Sequence, residues 1–344
     1  MAYLRGAAAH AHEMLFGYTT AIIAGFLLTA VRTWTHELTV SGMPLMALVA
    51  LWVCGRVLVL TPFEVAAAVV NASFPVAVAV AIGIPLVRAR NTRNYFFVAL
   101  LVLLGVLTLA VHAGLQQRIE LSAHLSLQLT LDAVLFIMVL MGGRVIPTFT
   151  NNAIPAAGAT RHPLVERLAL GTVILLFVSD ALQLHSGLTA TILIIGALAH
   201  AARLYLWRPW RTGATPLVWI LHAAYAWIVL HLALRGVAEL GLLAESLAVH
   251  ALTVGGIGSL TLGMMTRTAR GHTGRPLQAG GYEIASYGLV QAAAIVRVIG
   301  GALAPGLYLA TIQLSGMLWA AAFGLYAVQY WPVLTRPRLD GKPE

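Results

Sequence analysis

The chain has 344 residues, of which 60% are hydrophobic and 10% charged, and its mean hydropathy is +0.86. These values exclude a pair of soluble domains and predict an integral membrane protein. The formal net charge of +9 does not predict a nucleic-acid partner, because basic residues of membrane proteins gather in cytoplasmic loops. The single cysteine, Cys54, excludes an intrachain disulfide, a cysteine-ligated iron–sulfur cluster and a multi-cysteine zinc site.

Eleven apolar segments follow one another, each about 18 residues or longer, which is enough for a helix across roughly 30 Å of hydrocarbon. The sequence therefore predicts an all-α fold, a polytopic transmembrane helical bundle in which residues 1–344 form a single integral membrane domain. Pro75 interrupts the third segment and predicts a kink or a broken helix. The predicted segments are Met14–Thr33, Met43–Leu60, Phe63–Val87, Tyr95–Gly114, Leu121–Met141, Leu164–Leu184, Leu188–Trp207, Thr215–Arg235, Leu243–Thr266, Glu283–Ala304 and Gly306–Trp331.

Arginine predicts the topology of these segments. Most of the 21 basic residues fall in alternate loops and in the C-terminal tail, so the C-terminus is predicted to be cytoplasmic. Eleven spans then place the N-terminus outside, although no signal peptide is visible. We therefore expect one earlier helix, which would make twelve in all. No clear internal repeat is visible.

Histidine is the residue type that points to function, because a polar ring inside hydrocarbon must find a protein, water or metal partner. The chain has twelve histidines. With the predicted topology, His222 lies near the middle of its span and His200 toward the inner end of another. The histidines predicted at or near the outer side are His10, His12, His112, His124, His185, His231 and His250.

The densest group of possible ligands is His10-Ala-His12-Glu13. On a helix His10 and Glu13 share a face, whereas His12 points about 200° away from His10. One interpretation is a single histidine metal ligand with Glu13 as its hydrogen-bond partner. The other is a polar cap at the membrane interface.

His250 opens the ninth segment, about 140° around the helix from a small-residue stripe that predicts close helix packing. It is either a ligand or the donor of an inter-helix hydrogen bond.

His222 and His231 point to opposite sides of their helix, and the deeper His222 is the costlier to leave without a ligand. His112, His124, His185 and His231 are interpreted as interfacial residues. Asp132 or Asp180 is a possible ion-pair partner for Arg297, in a structural role or on a proton path.

Several motifs are absent, among them a Walker A loop, a dinucleotide fingerprint, a serine nucleophile elbow and a C-x-x-C-H haem attachment. Any haem would therefore be held non-covalently by histidine.

Four stretches of the sequence resemble the NnrS family of bacterial membrane proteins. They are residues 10–29 with His-Ala-His-Glu, residues 141–151 with Met-Gly-Gly-Arg, residues 204–227, and residues 250–276. The resemblance implies a twelve-helix inner-membrane protein that contains haem and copper and helps cells to withstand nitric oxide. The family has a hydrophobic helix before the His-Ala-His-Glu motif, which agrees with the expected earlier helix.

The positions that match the family's histidine motifs are His10, His12, His200, His222, His250 and His272. The resemblance makes His10, His12, His222 and His250 the candidates for haem. The candidate metal ligands that the resemblance implies are His10, His12, Glu13, His200, His222 and His250.

The favoured hypothesis is a haem-binding protein of the nitric oxide stress response, with copper as a second cofactor and nitric oxide as the ligand. Neither its redox partner nor whether it catalyses a reaction follows from the sequence. The alternative is a transporter or channel, in which Pro75 breaks a helix and Asp132 with Arg297 lines a path. A third possibility is a membrane scaffold whose histidines are only hydrogen-bonded.

Overall fold

A computed structural model of the protein describes residues 4–339 and 341, which form helices joined by turns and loops. The chain divides into two compact units, the first ending at Val134 and the second beginning at Leu135. The single membrane domain over residues 1–344 stays a prediction, as does the twelfth helix.

All eleven predicted segments are helical. The first unit contains α1 Gly6–Thr35, α2 Met43–Leu58, α3 Glu64–Arg88, α4 Phe96–Leu115 and the first part of α5 Ala123–Ala153. The second unit contains the rest of α5, α6 Pro163–Ala181, α7 Ser186–Leu206, α8 Pro216–Glu239, α9 Glu245–His272, α10 Gly281–Leu303 and α11 Tyr308–Thr335.

Nine helices in the described part of the chain are long and apolar enough to cross a membrane. The two others are α2, which has 16 residues, and α6, which carries Glu166, Arg167 and Asp180. Helices suit this environment because each one satisfies its own backbone hydrogen bonds where no water is present. The predicted polytopic helical bundle is confirmed.

Proline marks where helices begin and does not break them. Pro163 and Pro216 start α6 and α8, a position where the missing N–H has no partner to lose. Helix α3 runs through Pro75 as one helix from Glu64 to Arg88, so the broken-helix interpretation is wrong. Membrane helices tolerate an internal proline because neighbouring groups satisfy the freed carbonyl.

The small-residue stripe of α9 packs closely, as predicted. Gly255 lies against the ring of Trp227, and a Cβ at Gly263 would come within 2.8 Å of Ile220 Cγ2. Ser259 Oγ accepts a hydrogen bond of 2.6 Å from Gln291 Nε2, and Gln291 in turn accepts one from Trp227 Nε1. Small residues therefore let the α9 backbone approach α8.

Gly255→Ala is expected to lower the free energy of unfolding by about 1–3 kcal/mol, because its new methyl group would overlap the buried Trp227 ring. Thermal unfolding in detergent measures the effect. Gly288→Ala is the matched control, since a Cβ there has no neighbour within 4 Å. An equal loss of stability in both variants would contradict this packing.

An internal repeat, which was not expected, links α1 and α9. Each helix changes to a π-helical turn immediately after a histidine, over Glu13–Thr19 and over Ala251–Ile257. The two helices share the pattern H-x4-G-x7-G-x6-R, in which a histidine, two glycines and an arginine follow one another at the same intervals. Its members are His12, Gly17, Gly25 and Arg32 in α1, and His250, Gly255, Gly263 and Arg270 in α9. Because π-helical turns are rare and frequent at functional sites, the repeat marks both histidines.

Candidate functional site

Two buried histidines of the first unit meet in a T-shaped arrangement, with their rings inclined at 72°. His12 of α1 and His112 of α4 are both 0% exposed, and their Nε2 atoms are 3.1 Å apart. His112 was interpreted as an interfacial residue that water satisfies, and burial shows that interpretation to be wrong. No sequence pattern joins the two residues, because they lie on helices far apart in the chain.

A carboxylate fixes the proton on His12. Its Nδ1 lies 2.9 Å from Glu13 Oε1, so Nδ1–H donates to the carboxylate and the lone pair is on Nε2, which faces His112. A metal-binding histidine is held in this way by a carboxylate that orients the ring and raises the basicity of the ligand. Glu13 therefore supports His12, and not His10, with which it was expected to share a face.

Glu13 is held in turn by Arg56 of α2. Arg56 Nη1 donates to both oxygens of Glu13 at 2.9 Å, and Arg56 also donates to the side chain of Asn71. Asn71 is anchored by its Nδ2, which donates to the carbonyl of Ala67 at 2.8 Å. The result is a continuous series of hydrogen bonds that keeps the His12 ring in place.

The π-helical turn makes room for this arrangement. A Cβ at Gly17 would overlap the Arg56 guanidinium, so glycine is needed at this position of the turn. The Gly17 carbonyl accepts a hydrogen bond of 2.9 Å from Trp52 Nε1. Thr19 Oγ1 bonds the carbonyl of Met14, five residues earlier, which is the spacing of a π-helix.

The distance of 3.1 Å between Nε2 of His12 and Nε2 of His112 is that of a hydrogen bond, and it also permits both nitrogens to bind one metal ion. With metal–nitrogen bonds of about 2.0 Å, it corresponds to an angle of about 100° at the metal, which suits adjacent positions on one ion. Two axial ligands of a haem would lie about 4 Å apart, on opposite sides of the iron. Among residues 4–339 and 341, no group of three or more His, Cys, Asp or Glu is arranged to hold a metal.

His10 does not join the pair. It is exposed on α1, two residues before the buried His12, as the helical angle between the two predicted.

In the second unit, His200 uses both ring nitrogens. Nε2 bonds the carbonyl of Ala169 at 3.1 Å, and Nδ1 bonds the Tyr225 hydroxyl at 2.6 Å. Tyr225 accepts from Arg203 Nη1 at 2.9 Å, so its own proton goes to His200. Arg203 also forms an ion pair with Glu166. This network is internally satisfied and leaves no ring nitrogen of His200 open to a metal.

His222 has one unused nitrogen. Thr150 donates its hydroxyl proton to the carbonyl of Ile146 at 2.8 Å, so it must accept from His222 Nε2–H at 2.9 Å. The lone pair of His222 is therefore on Nδ1, which is buried and has no hydrogen-bond partner in the described part of the chain. Trp207 Nε1 is a second buried nitrogen with no such partner, and its ring centroid lies 6.5 Å from that of His222.

His231, which was also interpreted as interfacial, is buried. Its ring is bonded through Nδ1 and leaves Nε2 unused, the reverse of His222. Its Nδ1–H donates to the carbonyl of Ala248 at 2.8 Å. The Nε2 lone pair is therefore bare, and within the described residues it has no hydrogen-bond partner. An imidazole held at Nδ1 by a carbonyl, with Nε2 bare, is prepared to bind a metal. A bond to a backbone carbonyl leaves no trace in the residue pattern, so the sequence did not single out His231.

The NnrS protein family model matches residues 2–338 of the chain. The chain belongs to the NnrS family. Nothing among the curated proteins or the solved structures matches it. The resemblance read from the histidine motifs is therefore confirmed over nearly the whole length.

In this NnrS-family chain, His250 is half-buried at the start of the second π-helical turn. Its Nδ1–H donates to the carbonyl of Ser246 at 2.5 Å, and its Nε2 lies 3.3 Å from Arg297 Nη2. Asp180, one of the two expected partners of Arg297, instead pairs with Arg235 at 2.6 Å. Among the contacts described within the first unit, His12 is the candidate metal ligand that pairs with a second histidine, and its partner is His112, which was not a candidate.

Proposed function

We propose that this NnrS-family protein binds haem and copper in the bacterial inner membrane and acts in resistance to nitric oxide, with its C-terminus in the cytoplasm. The observation that carries the proposal is the convergence of His12 and His112, supported by Glu13 and Arg56. Two buried imidazoles with a carboxylate behind one of them are the ligand chemistry of a transition-metal site.

Copper fits the His12–His112 pair. Imidazole is a ligand that copper prefers, and the nitrogen–nitrogen distance suits two neighbouring positions on one ion. The remaining positions stay open to water or to a small molecule such as nitric oxide. Glu13 and Arg56 act on the metal only through the His12 ring.

Haem fits His231 best by donor chemistry. Its buried Nε2 is the ring nitrogen farther from the main chain and has no hydrogen-bond partner in the described part of the chain, so it would be the atom that binds the iron. The unused nitrogen of His222 is Nδ1, which lies next to its own backbone, and the Nε2 of His250 already accepts from Arg297. Haem, when bound, supplies an iron that binds nitric oxide, a small ligand that partitions into membranes.

One support of the transporter alternative is gone, because helix α3 is continuous at Pro75. Within the second unit, the described contacts of the Arg297 guanidinium are with His250 and Tyr308. The haem–copper proposal is therefore the better supported of the two.

The protein purified in detergent is expected to contain copper and iron and to show a Soret band that shifts when the reduced sample is exposed to nitric oxide. Absorption spectroscopy and metal analysis of one preparation test this. A preparation that contains neither metal after growth with added haem precursor and copper would contradict the proposal and return the transporter to first place.

A further inference from the structure

Arg297 is a buried cation that forms no ion pair with a carboxylate among the described residues. Its side chain is 6% exposed, and its guanidinium lies 5.2 Å from the centre of the Tyr308 ring. Nη2 lies 3.3 Å from both His250 Nε2 and the Tyr308 hydroxyl. Nη1 is buried and has no hydrogen-bond partner among residues 4–339 and 341.

The two π-helical turns differ in the residue that follows the histidine. In the first turn this residue is Glu13, which neutralises Arg56 of the next helix. In the second turn it is Ala251, which is fully buried against apolar side chains. Arg297, which also comes from the next helix, lies beside His250. The second turn therefore has an arginine beside its histidine without the acidic neighbour that the first turn has.

An arginine in this state is costly. A buried charge within a membrane span is stable only when it is paired or reaches water, and each buried N–H without an acceptor carries a desolvation cost. A charged residue inside a membrane span therefore suggests a functional site rather than a purely structural role.

A glycine lies beside the unused nitrogen. A Cβ built on Gly301 would lie 3.8 Å from Arg297 Nη1 and 3.4 Å from Leu247 Cδ2, both at ordinary contact distance. Because residue 301 has no side chain, it places no side-chain atom against this side of the guanidinium. Tyr308 is 39% exposed, so the other side of the site reaches the surface of the second unit.

We propose that His250, Arg297 and Tyr308 form a binding site for an anionic oxygen group, either a carboxylate or a small oxyanion such as nitrite. The ligand accepts hydrogen bonds from the guanidinium of Arg297, including Nη1. Guanidinium recognises planar oxyanions with two parallel hydrogen bonds. His250, whose Nε2 accepts from Nη2, holds Arg297 in position. The site stands on these residues alone and does not depend on haem or copper binding.

The test uses the purified full chain in detergent, without added haem. Its thermal unfolding temperature is measured against increasing sodium nitrite and sodium formate, with sodium chloride at the same ionic strength as the reference. We expect a saturable rise with nitrite and formate, which bind the native state. Arg297→Gln should weaken the apparent affinity by at least about tenfold, whereas Arg118→Gln, at an exposed arginine, should leave it unchanged.

Gly301→Val is the second variant, because it keeps Arg297 and fills the space beside Nη1. It should also weaken binding, and it keeps the test decisive if Arg297→Gln does not fold.

A second titration identifies the source of the anionic group. Haemin and its dimethyl ester differ only in the two propionates. If the ligand is a propionate, the wild-type chain binds the ester at least about tenfold more weakly than haemin, Arg297→Gln binds both equally, and nitrite has no effect. A response to nitrite or formate that requires Arg297 identifies a free oxyanion, and it does so even if the chain binds no haem. If nitrite, formate, haemin and the dimethyl ester all bind Arg297→Gln and Gly301→Val as they bind the wild-type chain, the proposed site is wrong.

Discussion

His12→Ala is expected to remove copper from the protein, whereas His10→Ala, two residues earlier on α1, is expected to leave copper in place. His12 is buried with its Nε2 directed at His112, and His10 is exposed. A two-histidine site that loses one ligand retains a single imidazole, which binds copper far more weakly. The measurement is copper per chain by metal analysis, followed by titration of the apoprotein with Cu(I) against a competing chelator.

Two further variants, His112→Ala and Glu13→Gln, sharpen this result. His112→Ala should match His12→Ala. Glu13→Gln should weaken copper affinity by roughly 10–100-fold, as for other partners that orient a histidine ligand. Retention of copper in both His12→Ala and His112→Ala, or loss in His10→Ala alone, would show that the pair is only a buried hydrogen bond. Circular dichroism confirms that each variant is folded.

Arg203→Met is expected to be the most destabilising single substitution considered, at about 3–5 kcal/mol. Arg203 is 1% exposed and forms the ion pair with Glu166, and it also donates to Tyr225 and to the carbonyl of Val139. Its removal leaves three acceptors, of which the Tyr225 hydroxyl and the Val139 carbonyl are buried, without this donor. The Glu166 side chain is 23% exposed, so water relieves part of the cost and places the effect toward the lower end.

Thermal and chemical unfolding in detergent measure this loss. Arg208→Met, at an exposed arginine near the end of the same helix, should change stability by less than about 0.5 kcal/mol. The double variant Arg203→Met with Glu166→Gln should recover part of the loss, because it removes both charges of the pair. If Arg203→Met unfolds like wild type, the network does not stabilise the second unit.

The helices were predictable because their cause is local. A membrane helix needs about 20 consecutive apolar residues and satisfies its own backbone, so all eleven segments could be read from composition alone. The close packing at Gly255 followed for the same reason, since small residues four apart lie on one helix face, but its partner, Trp227, came only from the structure. The continuity of α3 through Pro75 was missed because the compensation of a proline depends on neighbouring helices.

The repeat between α1 and α9 was visible in the sequence and was missed there. Its four identical positions are spread over one helix length and separated by apolar residues that any membrane helix would carry. Only the two π-helical turns, each beginning right after His12 or His250, draw attention to the shared spacing. A search for spaced polar residues and glycines, rather than for overall similarity, would have found it.

The sequence by itself determined the membrane class, the eleven helices, the family and the importance of histidine. The tertiary structure decided which imidazole nitrogens are available, by bringing His12 to His112, occupying both nitrogens of His200 and leaving Nε2 of His231 bare. The physical reason is that hydropathy fixes where a helix begins and ends, but hardly its rotation or depth relative to its neighbours. Those two quantities decide which side chains meet, and helix packing sets them.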